Sequence, residues 1–246
     1  MLAANLLRDI DAQASIVVLT GAGISAASGV PTFRGPDGLW RGHRSEELAT
    51  PAAFRRDPRL VWEWYEWRRT LVAGCRPNAA HEALVRLERG HAATLILTQN
   101  VDGLHRVAGS TQVVELHGDL FRVRCIREGS VSATPHQAFP ELPPHCACGA
   151  LLRPDVVWFG EPLNPEVVRL AFDAARKARL VLVVGTSALV EPAASLPFLA
   201  RGQGARLVEV NTQATPLTPY ADQFLAGDSA AILPAVVDEI LRHLGG

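Results

Sequence analysis

A short apolar, β-branched run, Ser15-Ile16-Val17-Val18-Leu19, leads into Thr20-Gly21-Ala22-Gly23-Ile24-Ser25-Ala26, and this junction constrains the chain more than any other stretch. The run reads as a buried strand. Gly21, Gly23 and Ala26 match G-x-G-x-x-G/A where a strand turns into a helix. Glycines there permit a sharp turn and close approach to a pyrophosphate, whose oxygens the N–H groups opening the next helix would face. On spacing alone, a glycine-rich turn without a ligand is the alternative. A dinucleotide fold ordinarily returns to a second strand within ~30 residues and carries an acidic residue ~20 residues on. Here no strand pattern recurs until about Ala93, and the interval is rich in Pro, Arg and Trp. The pattern implies a nucleotide fold with a large insertion after the first phosphate loop, and argues against a hydride-transfer enzyme.

The chain has 246 residues, which suits one large domain, or one domain with a small inserted module. Lys plus Arg number 24 and Asp plus Glu 25, so no basic bias points to nucleic acid. No apolar stretch is long enough to span a membrane. Residues 3–14 read as an amphipathic helix packed on the sheet, not as an export signal, and a cytoplasmic monomer is expected. The four cysteines are Cys75, Cys125, Cys146 and Cys148. Without an export signal, metal binding or free thiols are expected rather than disulfides.

Residues 30–40 are dense in Pro and Gly and read as a binding loop, with Phe33 and Arg34 its best-placed chemical groups. A helix is predicted over 57–72, with Pro58 in its first turn. Leu60, Trp64, Trp67 and Leu71 form its apolar stripe, and Val61, Tyr65, Arg68 and Val72 a neighbouring one. Tyr65 and Arg68 are thus i, i+3 partners. A phenol beside a guanidinium can bind a carboxylate; an arginine snorkelling beside an interface tyrosine is the plain alternative. A helix over 77–88 follows, with Asn78 as N-cap and His81 read as a helix-face residue. The strand at 93–98 ends in Gln99, Asn100 and Asp102, three compact polar groups where open α/β sheets bind ligands. Asp102 could instead cap the next short helix. A strand at 112–116 closes on His117-Gly118, where a histidine can serve as a base near neutrality. Cys125 and Cys146-x-Cys148 bracket a Pro/His/Ser-rich segment that reads as a small metal knuckle. Zinc wants four ligands, and His145, His136 or Glu128 could supply the fourth. The extended segment 152–161 could pair with an extended peptide. A helix at 165–178, a strand at 180–184 ending in Gly185-Thr186-Ser187, a helix after Pro192, a strand at 206–210 ending in Asn211 and a helix at 230–244 complete an α/β order.

Together, Gly21 to Ser25 with Pro31-Thr32-Phe33-Arg34, Thr98 to Asp102, His117-Gly118, Val157-Trp158-Phe159-Gly160-Glu161 and Gly185-Thr186-Ser187 resemble the sirtuin family of NAD-dependent protein lysine deacylases. The resemblance runs from about residue 12 to 244. Tyr65-x-x-Arg68 further resembles the bacterial-type class that removes succinyl and malonyl groups. The resemblance implies a Rossmann-like α/β domain with a parallel sheet (1–35, 91–118 and 157–246). It also implies a smaller domain made of two insertions, a helical module at 36–90 and a zinc-ribbon-like module at 119–156. It implies NAD along Gly21, Ala22, Gly23, Ser25, Phe33, Arg34 and Gln99, with Gly185, Thr186, Ser187, Asn211 and Ala230 on the adenosine side. Asn100 and Asp102 would hold the nicotinamide ribose and carboxamide. Acyl-lysine of a protein substrate would enter beside Val157, Phe159, Gly160 and Glu161, with Tyr65 and Arg68 on an acidic acyl group. The implied chemistry has the acyl oxygen attack C1′ of the ribose as nicotinamide leaves. His117 then acts as base on a ribose hydroxyl, and the acyl group ends on ADP-ribose. A mono-ADP-ribosyltransferase and a non-catalytic NAD-binding module are the alternatives. The family's zinc uses two Cys pairs; here Glu128 stands three residues after Cys125, and His145 holds the usual partner position of Cys148. Metal ligands Cys125, Cys146 and Cys148 with an open fourth position are therefore expected.

Overall fold

The computed structural model describes residues 2–3, 5–8, 10–31, 39–134 and 136–245; Phe33 and Arg34 lie outside the described residues. In chain order, β1 (Ser15–Thr20) is followed by a 3₁₀ stretch at Ala22–Ser28 and a small hairpin, β2 (Leu39–Trp40) with β3 (His43–Arg44). Helices α1 (Ser45–Leu48), α2 (Pro51–Arg56), α3 (Pro58–Gly74) and α4 (Ala79–Gly90) come next. Then come β4 (Thr94–Thr98), α5 (Leu104–Ala108), β5 (Val113–Glu115), β6 (Gly118–Cys125), β7 (Val131–Ala133) and β8 (Leu152–Val156). The chain closes with α6 (Pro165–Lys177), β9 (Ala178–Val184), α7 (Ser195–Gly202), β10 (Arg206–Asn211), β11 (Gln223–Ala226) and α8 (Ser229–Gly245).

Six strands pair in parallel in the order β11-β10-β9-β1-β4-β5. Counted along the chain, this is the 3-2-1-4-5-6 order of dinucleotide-binding sheets, with its switch point between β1 and β9. Alternation along β1 explains why the sheet is covered on both faces. Ile16 and Val18 join the cluster beneath α4 and α8, and Val17 and Leu19 the one beneath α6 and α7. Local signals set the helix starts: Asp57, Asn78 and Asn164 each accept a backbone N–H within the first turn.

A third cluster lies outside the parallel sheet, where α2 and α3 pack on the antiparallel sheet β7-β6-β8. Arg69, 2% exposed, fastens these two stretches of chain, donating to Leu120 O at 2.7 Å and Thr134 Oγ1 at 2.8 Å. Trp62 Nε1 adds a bond to Leu152 O at 2.8 Å.

Three expectations change. Residues 3–14 form no helix among the described positions, only isolated turns such as Leu6 N to Ala3 O and Ile10 N to Leu7 O. Tertiary contacts hold the stretch instead: His243 Nε2 meets Ile10 O, a carbonyl that a helix would use, at 3.0 Å, and Glu239 accepts from Leu2 N just before it. The apolar side chains Leu2, Leu6, Leu7 and Ile10 are nonetheless buried on the sheet. The helix expected after the glycine turn is only the 3₁₀ stretch, ended by Gly29 at φ 87°. On α3 the deeper stripe is Val61, Tyr65 and Val72, joined by Trp62 and Trp64, whereas Trp67 is exposed.

Candidate active site

The first and fourth strands of the parallel sheet end against each other. Gly23 N donates to Gly185 O at 2.8 Å. A Cβ on Gly21 would sit 2.8 Å from Thr186, and one on Gly23 2.7 Å from Gly185 Cα. The glycines therefore serve backbone-to-backbone packing as well as any close approach by a ligand. Gln99 Nε2 donates to Thr186 Oγ1 at 2.9 Å and Asn211 Nδ2 to Thr186 O at 2.8 Å. Ser229 Oγ, 3.5 Å from Gly23 O, brings the start of α8 and Ala230 to the same edge. Gly21, Ala22, Gly23, Gln99, Gly185, Thr186, Asn211 and Ala230 thus gather where the strand order reverses, with Ser187 following Thr186 in the chain.

Behind this edge lies a buried polar knot. Ser25 Oγ donates to Asp102 Oδ2 at 2.7 Å and accepts from Asn100 Nδ2 at 3.1 Å. Leu104 N occupies Asp102 Oδ1 at 2.9 Å, so Asp102 caps α5 and also belongs to the knot. Burial pushes the Asp102 carboxyl up, and the Leu104 and Ser25 hydrogen bonds oppose it. His81, read from the sequence as a helix-face residue, joins the knot fully buried. Asn78 N donates to His81 Nδ1 at 3.3 Å, which leaves the proton on Nε2, 3.5 Å from Ser25 Oγ. Burial lowers the His81 pKa to about 4, so its ring is neutral at pH 7. The sequence signal that could have found it is its place three residues after an N-cap, facing a glycine turn.

His117 emerges beside β5 with Nδ1 at 3.0 Å from Gln99 O. A carbonyl only accepts, so Nδ1 carries the proton and Nε2 is left with a free lone pair. Burial lowers the His117 pKa, against the pull of the Gln99 bond, and so favours the neutral ring, whose Nε2 can accept a proton. The His117 carbonyl accepts from Val157 N at 2.9 Å, which joins the base to the extended segment after β8.

That segment is fixed from within. Arg153 donates to both Glu161 carboxylate oxygens, at 2.6 and 2.8 Å, and Glu161 also accepts from Trp158 N at 2.9 Å. The Glu161 carboxylate, expected beside the substrate, is engaged in shaping its own segment. Phe159 and Gly160 are exposed, while Trp158 is buried. Trp158 Nε1 donates to Tyr65 Oη at 2.8 Å and so brings α3 to the segment. Arg68 lies half-buried on the same helix, its guanidinium 5.3 Å from the centre of the Trp64 ring. Burial drives the Tyr65 phenol well above its ordinary range although the Arg68 charge pulls it down. Trp158 was not singled out in the sequence; the signal was an indole N–H that needs a partner once buried.

At the far end of β6, Cys125, Glu128, Cys146 and Cys148 place one donor atom each within 4.8 Å of one another. Cys125 Sγ and Cys148 Sγ are 3.5 Å apart, and Cys146 Sγ and Glu128 Oε2 3.7 Å. A tetrahedral zinc site with Zn–S bonds of ~2.3 Å has edges of about 3.8 Å, so three sulfurs and a carboxylate fit a zinc ion. His145 is outside this group and bridges to Leu151 through its backbone, and His136 stacks on Phe121 at 3.8 Å. No described cysteine is in a disulfide. Among the described residues, no helix is long and apolar enough to cross a membrane.

A model of the Sir2 family matches residues 21–192. The chain is 53% identical to NAD-dependent protein deacylase 2 of Pyrobaculum aerophilum over 229 residues, which covers 93% of this chain and 92% of that one. A crystal structure of a Sir2 homolog–NAD complex superposes with a TM-score of 0.88 at 46% identity, covering 94% of this chain and 91% of the other. A Sir2–p53 peptide–NAD+ complex does so at 0.80 and 32%, covering 92% of each.

Proposed function

The chain belongs to the Sir2 family, and on that premise we propose that it removes acyl groups from protein lysines at the expense of NAD, acting on succinyl and malonyl as well as acetyl groups. The observation that carries the chemistry is the state of His117. Its Nδ1–H is held by Gln99 O, which leaves a neutral Nε2 at the sheet edge where a nucleotide binds. When bound, NAD would supply the ribose carbon from which nicotinamide departs; the acyl oxygen takes its place, and water is consumed as the lysine amine is released and the acyl group ends on an ADP-ribose hydroxyl. His117 Nε2 takes the proton of a ribose hydroxyl. Asn100 and Asp102 hold the nicotinamide ribose and carboxamide, and the bonds through Ser25 keep both side chains oriented. Gly21, Ala22 and Gly23 flank the phosphates, and Thr186, Ser187, Asn211 and Ala230 the adenosine. Acyl-lysine lies along Val157, Phe159 and Gly160. Tyr65 and Arg68 pair with the distal carboxylate of an acidic acyl group. Cys125, Glu128, Cys146 and Cys148 would hold one zinc ion, which would tie β6 to the 146–148 turn away from the reaction.

The test is mass spectrometry of two matched peptides, succinyl-lysine and acetyl-lysine, incubated with the protein with and without NAD. NAD-dependent loss of succinyl with appearance of O-succinyl-ADP-ribose is the expected result. Loss of acetyl alone would remove the acidic-acyl role of Tyr65 and Arg68. ADP-ribose appearing on protein, with both peptides intact, would overturn deacylation itself.

A further inference from the structure

The hydrogen bond between Trp158 and Tyr65 carries a consequence for acyl choice. An indole N–H can only donate. Trp158 Nε1 therefore occupies an acceptor lone pair of the Tyr65 hydroxyl, at 2.8 Å. A phenol has one proton, and among the described residues that proton meets no acceptor. We propose that Trp158 is a specificity-determining positioning residue: by donating to one lone pair of the Tyr65 oxygen it orients the hydroxyl so that its proton is left for the acyl group, on the same helix as Arg68. This rests on the acidic-acyl reading above.

A distal carboxylate accepts from such a pair, whereas the methyl of an acetyl group leaves a buried O–H without a partner. Discrimination then arises as much from the penalty on the neutral group as from attraction to the acid. The indole cannot easily turn away. The Arg153 guanidinium lies 3.5 Å from its ring centre, Phe54 packs against it tilted by 43° at 5.2 Å between centroids, and its backbone N–H is held by Glu161. Tyr65 is itself set by Trp64, edge-on at 4.5 Å. Burial, which keeps the phenol protonated, serves the same end.

The experiment compares kcat/KM on matched succinyl- and acetyl-lysine peptides for the wild type, Trp158→Phe, Tyr65→Phe, the double variant and Arg68→Met. Trp158→Phe keeps an aromatic ring but removes the donor together with the five-membered ring of the indole. It should lower the succinyl-to-acetyl ratio about 3- to 10-fold, the range of one hydrogen bond, mainly through KM for the succinyl peptide. Tyr65→Phe should lower the ratio at least as far, and the double variant no further than Tyr65→Phe alone. A merely structural Trp158 would reduce both substrates equally, and that result overturns the proposal. Should Trp158→Phe fail to fold, an unchanged ratio in Tyr65→Phe overturns it independently. A wild type that does not favour succinyl, or Arg68→Met that leaves the ratio intact, rejects the acidic-acyl reading instead. A wild-type preference abolished by Arg68→Met but untouched by Trp158→Phe rejects the role of Trp158 alone.

Discussion

Arg69→Met removes the cation that joins α3 to the β6 sheet, and its cost can be worked from the contacts. The guanidinium is 2% exposed and gives hydrogen bonds of 2.7 Å to Leu120 O, 2.8 Å to Thr134 Oγ1 and 3.4 Å to Gln137 O. Its Nε lies 3.3 Å from Glu66 Oε2, whose side chain is 13% exposed. Methionine keeps the apolar stem between Phe121 and Phe139 but leaves the carbonyls unanswered and the Glu66 carboxylate buried without its counter-ion. Breaking a buried pair from one side costs about 3–5 kcal/mol. For a chain of this size each kcal/mol moves Tm by about 2–4 °C, so a fall of about 6–20 °C is expected at pH 7.5. The sign of the pH dependence follows from Glu66. Burial raises its carboxyl although Arg69 lowers it, so loss of Arg69 raises it further. A carboxyl with a raised folded pKa costs stability as pH rises through that value, and the deficit of the variant therefore shrinks toward acid. Thermal denaturation by circular dichroism at pH 7.5 and 5.5 reads both effects. Glu66→Gln added to Arg69→Met should recover part of the loss, because it removes the stranded charge. A drop of under about 2 °C for Arg69→Met, or no recovery in the double variant, would refute the reasoning.

Arg68→Met should lower kcat/KM on a succinyl-lysine peptide at least about 30-fold, the lower end of the about 2–5 kcal/mol for losing a desolvated charged contact, and far less on acetyl-lysine; equal losses on the two peptides contradict it. The acid limb of kcat/KM should fall below pH 6.5, because burial depresses the His117 pKa and neutral imidazole persists to lower pH; a limb at or above that value contradicts the assigned base. The folded pKa values of His81 and His105, about 4 and about 3, lie below the unfolded value, so their stabilisation is complete above pH 6.5 and drains away as pH falls toward 4. Tm measured across that window should decline, and a rise would be the wrong sign. Native mass spectrometry should find one zinc per chain, lost with a fall in Tm in Cys148→Ser and retained in Glu128→Cys; a metal-free wild type of undiminished Tm contradicts the site.

The buried apolar run of β1, the cap at Asn78 and Pro58 in the first turn of α3 are short-range features, and the sequence displayed them openly. The glycine turn, Asn100, Asp102 and His117 were legible because each follows a strand, and parallel strands bring their ends to one edge. What was hidden depends on distance. Leu2 to Ile10 have helical spacing, but Glu239 and His243, more than two hundred residues away, take backbone groups from that stretch. His81 read only as a helix-face residue, whereas α4 turns it toward Ser25. That Glu128 rather than His145 joins the cysteine cluster depends on the path of the turn at 146–149, where Cys146 N donates to Ala150 O. Spacing alone had left His145, His136 and Glu128 as candidates.

The meeting of the two glycine turns has a consequence for redesign. Their shared wall is main chain apart from the Thr186 side chain, and Gly23 N and Gly185 O close it with a hydrogen bond. A carbon added at Gly21, Gly23 or Gly185 would press on backbone across the seam and prise apart the central pair of strands. For the nucleotide site proposed above, room for a bulkier analogue must therefore come from the opposite side of the cleft, with this seam held fixed.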